Sequence, residues 1–346
     1  MHQLAIVIPA FKVKYFNETL KSFAEQTDRR FRLYIGDDAS PCEFKTIISQ
    51  YKNAMDITYF RFSNNLGATS LAEHWMRCIR LTSEPWTWFF SDDDTVGSTC
   101  VADFYAAIRS ADVRKGIYRF ELAMIDASGE LIRLPPPLPY LCGPYEFLYH
   151  KIVNCAGSAA PEHVFSREAF ERVGGFVDFP SATCSDDATW MLLSREQPMV
   201  VIPGGKVNWR QSEVNISGGR SRLRNERALA CLHFIEWLMK ECSQGGRLFP
   251  RTDEEWVLLT KVFAALPEWF GDNFRFLEIP ISKDYDPTYW IADIQARTGM
   301  IAPFMIKQIP PVKNKFMRLC IAHWPRNRYL ARVAQRLHIL FGGRHC

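Results

Sequence analysis

Three consecutive carboxylates, Asp92-Asp93-Asp94, close the aromatic run Trp86-Thr-Trp-Phe-Phe-Ser91. Like charges at that density call for a cation. Hard oxygen ligands suit Mg²⁺ or Mn²⁺, which bind through one or two carboxylates and keep positions open for substrate phosphates. A metal-bound diphosphate is therefore the chemistry the triplet suggests, although an acidic turn capping a buried strand would look the same in isolation. A second acidic pair, Asp186-Asp187, stands in Ser185-Asp-Asp-Ala-Thr-Trp190, too far along the chain to share a turn with the first. Acids there would also suit the positive end of a helix dipole.

The elements that deliver these acids can be read from the pattern around them. Leu4-Ala-Ile-Val-Ile8 is a short β-branched run ending at Pro9, followed by a helix-compatible stretch around residues 15–26 and a second strand, Phe31-Arg-Leu-Tyr-Ile35, ending in Gly36-Asp37-Asp38. Ile57–Phe62 is a third strand, followed by Asn64-Asn65-Leu66-Gly67, a helix around Ser70–Leu81, and the aromatic strand into Asp92. Four alternations of strand and helix predict an α/β fold with a mostly parallel sheet flanked by helices, in which ligands bind outside the carboxyl ends of the strands. Those ends are Pro9-Ala10, Asp37-Asp38, Asn64–Gly67 and Asp92–Asp94, so the polar residues collect where a site is expected. The middle of the chain is more irregular, with a Pro135–Pro139 loop and a Gly174-Gly175 turn. Beyond Gly218-Gly219 the pattern is helical, with one helix over 228–239 and the capping box Thr252-Asp-Glu-Glu255 opening another. The expected division is a first domain over 1–220 and a helical C-terminal extension over 221–346.

Taken in order and spacing, Ile6-Val-Ile-Pro-Ala-Phe11, Gly36-Asp-Asp-Ala-Ser40, Asn65-Leu-Gly67, Ser91-Asp-Asp-Asp94, Val173-Gly-Gly-Phe176 and Asp186-Asp187 resemble the inverting, GT-A-fold (Rossmann-like) family 2 glycosyltransferases, of the kind that build bacterial cell-envelope polysaccharides. The resemblance covers about residues 4–217, and its specificity lies in the ordered set. It implies that Pro9, Ala10 and Phe11 line a nucleotide pocket, with Asn65 and Gly67 also on the donor side, and that Asp38 accepts a hydrogen bond from the base, with Asp37 beside it. Asp92, Asp93 and Asp94 correspond to the D-x-D region, Asp92 toward the donor and Asp93 and Asp94 toward Mn²⁺ or Mg²⁺. Asp187 matches the catalytic base and Asp186 precedes it. Inverting transfer needs one carboxylate to take the acceptor proton and a separate cation to neutralise the departing diphosphate, which agrees with two distant acidic groups. One departure stands out: relatives often carry a metal-binding His where this chain has Ser212, in Trp209-Arg-Gln-Ser212-Glu-Val-Asn215. Gln211 or Glu213 could substitute for it, and Arg210 could contact the diphosphate or form an ordinary ion pair.

Charge is distributed unevenly. From Ile294 to Cys346 there are ten Lys or Arg and no Asp or Glu; since the whole chain is +4, residues 1–293 carry −6. Within that tail, Leu330, Val333, Ala334, Leu337, Leu340 and Phe341 fall on one helical face, with Arg328, Arg332 and Arg336 on another. Such a basic amphipathic helix suits an anionic membrane surface, or packs on the body with solvated arginines. No nucleic-acid-binding motif accompanies the charge, so nucleic acid is not an expected partner. The ten cysteines form no C-x-x-C pair and read as buried thiols of a reducing cytosol. With no leader and no membrane-spanning run, the expected location is cytoplasmic, peripheral on the inner face of the cell membrane. His74, His163 and His233 read as structural. The absence of a G-x-x-x-x-G-K-[ST] loop and of a G-x-S-x-G elbow removes P-loop ATPases and α/β-hydrolases.

The expected partners are a nucleotide-diphosphate sugar, UDP-linked, and a saccharide or lipid-linked oligosaccharide acceptor in surface polysaccharide or lipopolysaccharide synthesis. Two rivals share the architecture. A non-catalytic nucleotide- or glycan-binding scaffold would explain Ser212. A sugar nucleotidyltransferase would need a glycine-rich basic loop after the first strand, where this chain has Pro9-Ala-Phe-Lys-Val.

Overall fold

The computed structural model describes residues 3–110, 116–215 and 224–274. In chain order the elements are β1 (Leu4–Ala10), α1 (Phe16–Ala24), β2 (Phe31–Asp37), α2 (Lys45–Ser49), β3 (Ile57–Arg61), α3 (Leu71–Ile79), β4 (Trp86–Phe89), β5 (Thr95–Val96), α4 (Cys100–Ser110), β6 (Ile117–Ile125), β7 (Leu131–Arg133) and β8 (Leu141–Cys142). They continue with α5 (Pro144–Ile152), β9 (His163–Ser166), α6 (Arg167–Val173), α7 (Ser185–Leu193), β10 (Met199–Arg210), α8 (Arg224–Cys242) and α9 (Asp253–Phe274). The basic tail 294–346, its amphipathic stretch and the Gly218-Gly219 turn lie outside the described residues.

One sheet runs β3-β2-β1-β4-β9-β6-β10-β5, with β7 on β6 and β8 on β10. The first four strands are parallel, as the alternating pattern requires. The sheet becomes mixed beyond them: β9 runs antiparallel to both β4 and β6, and β10 then pairs parallel to β6. The sheet is therefore parallel from β3 to β4, parallel again between β6 and β10, and antiparallel where β9 is inserted between β4 and β6. The reason is that β9 is reached from β6 through the hairpin strands and α5, not through a right-handed βαβ crossover.

β1 is apolar throughout because both of its faces are covered. Leu4, Ile6 and Ile8 point to a core shared with Phe16, Leu20 and Phe23 of α1 and with Val101 and Phe104 of α4. Ala5 and Val7 point to the opposite core, which contains Cys78 and Ile79 of α3 and the apolar residues of α5, α7, α8 and α9. Fully burying each such aliphatic side chain contributes roughly 1.5–3 kcal/mol. Helix ends follow the sequence signals. Ser70, Ser166 and Thr252 accept from the backbone N–H groups of Glu73, Ala169 and Glu255, and Gly174 ends α6 at φ +93°, a conformation that L side chains rarely adopt. Among the described residues, seven cysteines are free thiols and six of these are buried; Cys155, against the expectation of thiols throughout, is disulfide-bonded. Among the described residues no helix is long and apolar enough to cross a membrane.

Candidate functional site

Strand order reverses direction at β1, which has β2 on one side and β4 on the other. A crevice at the carboxyl ends of β1 and β4 is the position the doubly wound topology gives to a ligand. Asp92 ties those two ends together: its Oδ2 accepts from the backbone N–H of Phe11 at 2.8 Å and of Lys12 at 2.7 Å. Asp94 is 1% exposed and its Oδ1 accepts from the Arg210 N–H at 2.7 Å, which fixes the end of β10 to the triplet. Burial pushes the carboxyls of both Asp92 and Asp94 above their ordinary values. Asp93 takes its hydrogen bond from Lys12, whose Nζ lies 2.5 Å from Asp93 Oδ2 and 3.3 Å from Asp92 Oδ1. Burial pulls the Lys12 ammonium down, but the charges of Asp92 and Asp93 outweigh it and raise its pKa.

On the β2 side, Asp38 receives the backbone N–H groups of Leu66 at 2.9 Å and Gly67 at 2.8 Å, together with the Arg77 guanidinium. It thereby fastens the Asn65–Gly67 turn against the end of β2. Gly67 is required there, because a Cβ would stand 2.6 Å from Asp38 Oδ2. Asp37 points elsewhere. Its carboxylate accepts from Tyr59 at 2.5 Å, Arg61 at 2.7 Å and the Ser40 N–H at 2.8 Å, bracing β2, β3 and the following loop.

The opposite wall is built by the start of α7. Asp186 and Asp187 occupy its first turn, entered through Ser181, Ala182 and Cys184, three non-glycine residues with φ between 51° and 62°. Strained backbone of this kind persists only where its surroundings over-determine it, and it concentrates at functional sites. Lys151, near the end of α5, places its Nζ 2.5 Å from Asp187 Oδ2. Burial and the charge of Asp187 push the Asp186 carboxyl up to about 8. Behind the pair lies a buried polar layer. Glu162 accepts from the Ala159 N–H at 2.9 Å and from Arg119 at 3.4 Å, and His163 stacks on Trp190 with ring centroids 4.6 Å apart. Burial pushes His163 well below its ordinary pKa, so this ring is neutral.

These walls enclose one cavity of about 880 Å³, lined by Pro9, Ala10, Phe11, Lys12, Asp38, Asn65, Gly67, Asp92, Asp93 and Asp94 on one side and by Lys151, Asp186, Asp187 and Arg227 on another. Two residues expected on the donor side stand outside this lining, Asp37 and Arg210. Arg210 is a buried structural cation: its guanidinium donates to the Asp93 carbonyl at 2.9 Å and to Glu18 at 2.5 Å, and lies over the Tyr15 ring. Position in sequence put both residues beside the motifs; the direction of their side chains, set by neighbours on β3 and α1, took them away. Lys12 and Lys151 were not legible as site residues, since a lone lysine carries no spacing signal.

Ser212 donates to Asn215 Oδ1 at 2.6 Å, and Glu213 pairs with Lys14. Neither Gln211 nor Glu213 lines the cavity, so neither substitutes for a histidine there. Among the described residues, no group of three or more His, Cys, Asp or Glu is arranged to hold a metal. The hard oxygens of Asp93 and Asp94 fit Mg²⁺ or Mn²⁺ in chemical type, but the ammonium at Asp92 and Asp93 is that of Lys12.

Residues 5–120, from β1 into β6, match the family described as Glycosyl transferase family 2. The chain is a glycosyltransferase with a family 2 domain. The fold of this glycosyltransferase is that of TarS 1-349 from S. aureus. The structure in complex with UDP-GlcNAc superimposes with a TM-score of 0.54 at 12% identity, over 88% of this chain and 93% of that one. The complex of the same protein with UDP gives 0.50 at 15% identity, over 86% and 92%. Among curated protein sequences none matches the glycosyltransferase. The family match ends at Phe120, so Lys151, Asp186 and Asp187 come from later elements that the fold returns to the same cavity.

Proposed function

We propose that the enzyme transfers a sugar from a nucleotide-diphosphate sugar, with UDP as the nucleotide, to a saccharide hydroxyl with inversion at the anomeric carbon. The observation that carries this reading is that the acid cluster at β1 and β4 and the acidic pair of α7 face one cavity from two sides. Its volume lies within the range of small-molecule sites. Pro9, Ala10, Phe11, Asp38, Asn65 and Gly67 bind the nucleotide end of the donor, and Asp92 its sugar or ribose. Asp187 is the base and Asp186 its neighbour. One oxygen of Asp187 is held by Lys151, while Oδ1 is buried without a hydrogen-bond partner, which an acceptor hydroxyl would satisfy. As the acceptor oxygen bonds to the anomeric carbon, its proton passes to Asp187. The bond to the diphosphate oxygen breaks and its electron pair leaves with the nucleoside diphosphate. A divalent ion, Mn²⁺ or Mg²⁺, at Asp93 and Asp94 would add neutralisation of the leaving group.

UDP is the first nucleotide to test because the TarS structure of the same fold is in complex with UDP-GlcNAc. For the acceptor we propose a saccharide on a lipid carrier or a lipopolysaccharide core, reached at the inner face of the membrane by an enzyme that is cytoplasmic and peripheral. The +10 charge of residues 294–346 supports that location. We propose that residues 1–220 form the catalytic domain and that residues 221–346 are a C-terminal extension of it. A panel of UDP-, GDP-, CDP- and dTDP-sugars, incubated with short saccharide acceptors and read by mass spectrometry, tests the donor, and the anomeric configuration of the product by NMR tests inversion. A product that retains the donor configuration would overturn the displacement by Asp187.

A further inference from the structure

Among the described residues, the side-chain cation paired with Asp92 and Asp93 is Lys12. Its backbone N–H and its ammonium both reach Asp92, and the ammonium also reaches Asp93, so the residue closes around the two carboxylates from the end of β1. The side chain keeps 25% exposure and lines the cavity. Among the other described cations, Lys151 is committed to Asp187, Arg77 to Asp38, and Arg210 to Glu18 and the Asp93 carbonyl, while Arg227 lines the cavity on the side of Asp186 and Asp187. Ser212 and Glu213 are likewise engaged away from the cluster. A divalent ion arriving at Asp93 must exchange with this ammonium, because two cations cannot share the same carboxylate oxygen without repulsion.

We propose that Lys12 is an internal counter-cation that pairs with Asp92 and Asp93, excludes a divalent ion from Asp93 while it is there, and contacts the diphosphate of the bound nucleotide, so that nucleoside diphosphate binding persists without metal. The inference rests on the donor reading given above. An ammonium on a flexible stem can move from carboxylate to phosphate oxygens within one cavity, as a point charge needing no fixed geometry. Metal and Lys12 are then alternative occupants, and removing one strengthens the other.

The test is calorimetric titration of the full chain with UDP, GDP, CDP and dTDP, in EDTA and in Mn²⁺, for the wild type, Lys12→Met and Lys12→Arg, with Mn²⁺ alone titrated as a separate measurement. Wild type binds one nucleotide in EDTA within about tenfold of its affinity in Mn²⁺, a difference near 1.4 kcal/mol. Lys12→Met loses at least about tenfold in EDTA, recovers in Mn²⁺, and binds Mn²⁺ alone more tightly than wild type, while Lys12→Arg retains binding in EDTA. Recovery in Mn²⁺ shows that the variant is folded; if Lys12→Met does not fold, Lys12→Gln takes its place. Wild type that binds a nucleotide only with Mn²⁺, or Lys12→Met that binds in EDTA as wild type does, overturns the role of Lys12 and leaves the donor reading intact. No binding of any nucleotide in either condition overturns the donor reading itself, and the inference with it.

Discussion

Lys151 Nζ and Asp187 Oδ2 are 2.5 Å apart, the lysine side chain partly exposed on α5 and the carboxylate buried in the first turn of α7. The pair turns a carboxylate that burial would otherwise penalise into a fixed one, with a single oxygen left unpartnered. Lys151→Met strands a buried charge, the kind of change that costs about 3–5 kcal/mol. It lowers the melting temperature and turnover together, and Lys151→Arg restores part of both. Asp187→Asn, nearly isosteric, lowers kcat by about 10²–10⁴-fold and leaves nucleotide affinity nearly unchanged. Wild-type turnover in Asp187→Asn, measured with purified donor and acceptor, would remove Asp187 from the chemistry.

Asp37 and Arg210 support the site from behind. Asp37→Asn weakens the contacts to Arg61 and Tyr59, and Arg210→Met removes those to Glu18 and the Asp93 carbonyl. Both variants lower stability by about 2–4 kcal/mol in denaturant unfolding. At a temperature where they remain folded, Asp37→Asn changes nucleotide affinity by less than about threefold. A tenfold or larger affinity loss in Asp37→Asn without loss of stability would place that carboxylate on the ligand after all.

Gly67→Ala tests the turn that Asp38 fastens. The new Cβ stands 2.6 Å from Asp38 Oδ2, so the turn or the carboxylate must shift. Nucleotide affinity, read by titration calorimetry, falls by about tenfold or more while the melting temperature changes little, because the turn is half-exposed and at the cavity rim. Unchanged affinity would show that the ligand does not use this side of the cavity.

Glu162 gives the fold a pH dependence. Burial, only partly offset by Arg119, pushes its carboxyl from the ordinary 4.5 up to about 7, with Lys151 and the neutral His163 also facing it. A raised carboxyl is better tolerated protonated, so its contribution to stability is whole below 4.5 and is lost as pH rises through about 7. Melting temperatures measured across about pH 5–8 fall more steeply for wild type than for Glu162→Gln, which cannot ionise. Parallel curves for the two proteins would contradict the burial argument.

The sequence by itself determined the framework of the site. The β-branched run at Leu4–Ile8, the aromatic run into Asp92 and the alternation between them fixed which strand ends carry acids, because period and turn chemistry are local properties that the residues impose on their own neighbourhood. Asp38, Asn65, Gly67 and Asp92–Asp94 were legible for that reason, Asp186 and Asp187 only through the ordered family resemblance, and all of them line one cavity. The antiparallel insertion of β9 was not legible, since strand direction depends on the path of the chain between β6 and β9. Nor was the placement of side chains that share a motif but point apart. Asp37 and Asp38 are consecutive, and on an extended strand end they face opposite ways, so one braces β3 and the other the cavity. The pairings of Lys12 with Asp92 and Asp93, and of Lys151 with Asp187, join residues 80, 81 and 36 positions apart. Only the packed tertiary structure decides such contacts, because a buried charge takes whatever opposite charge the fold leaves within reach.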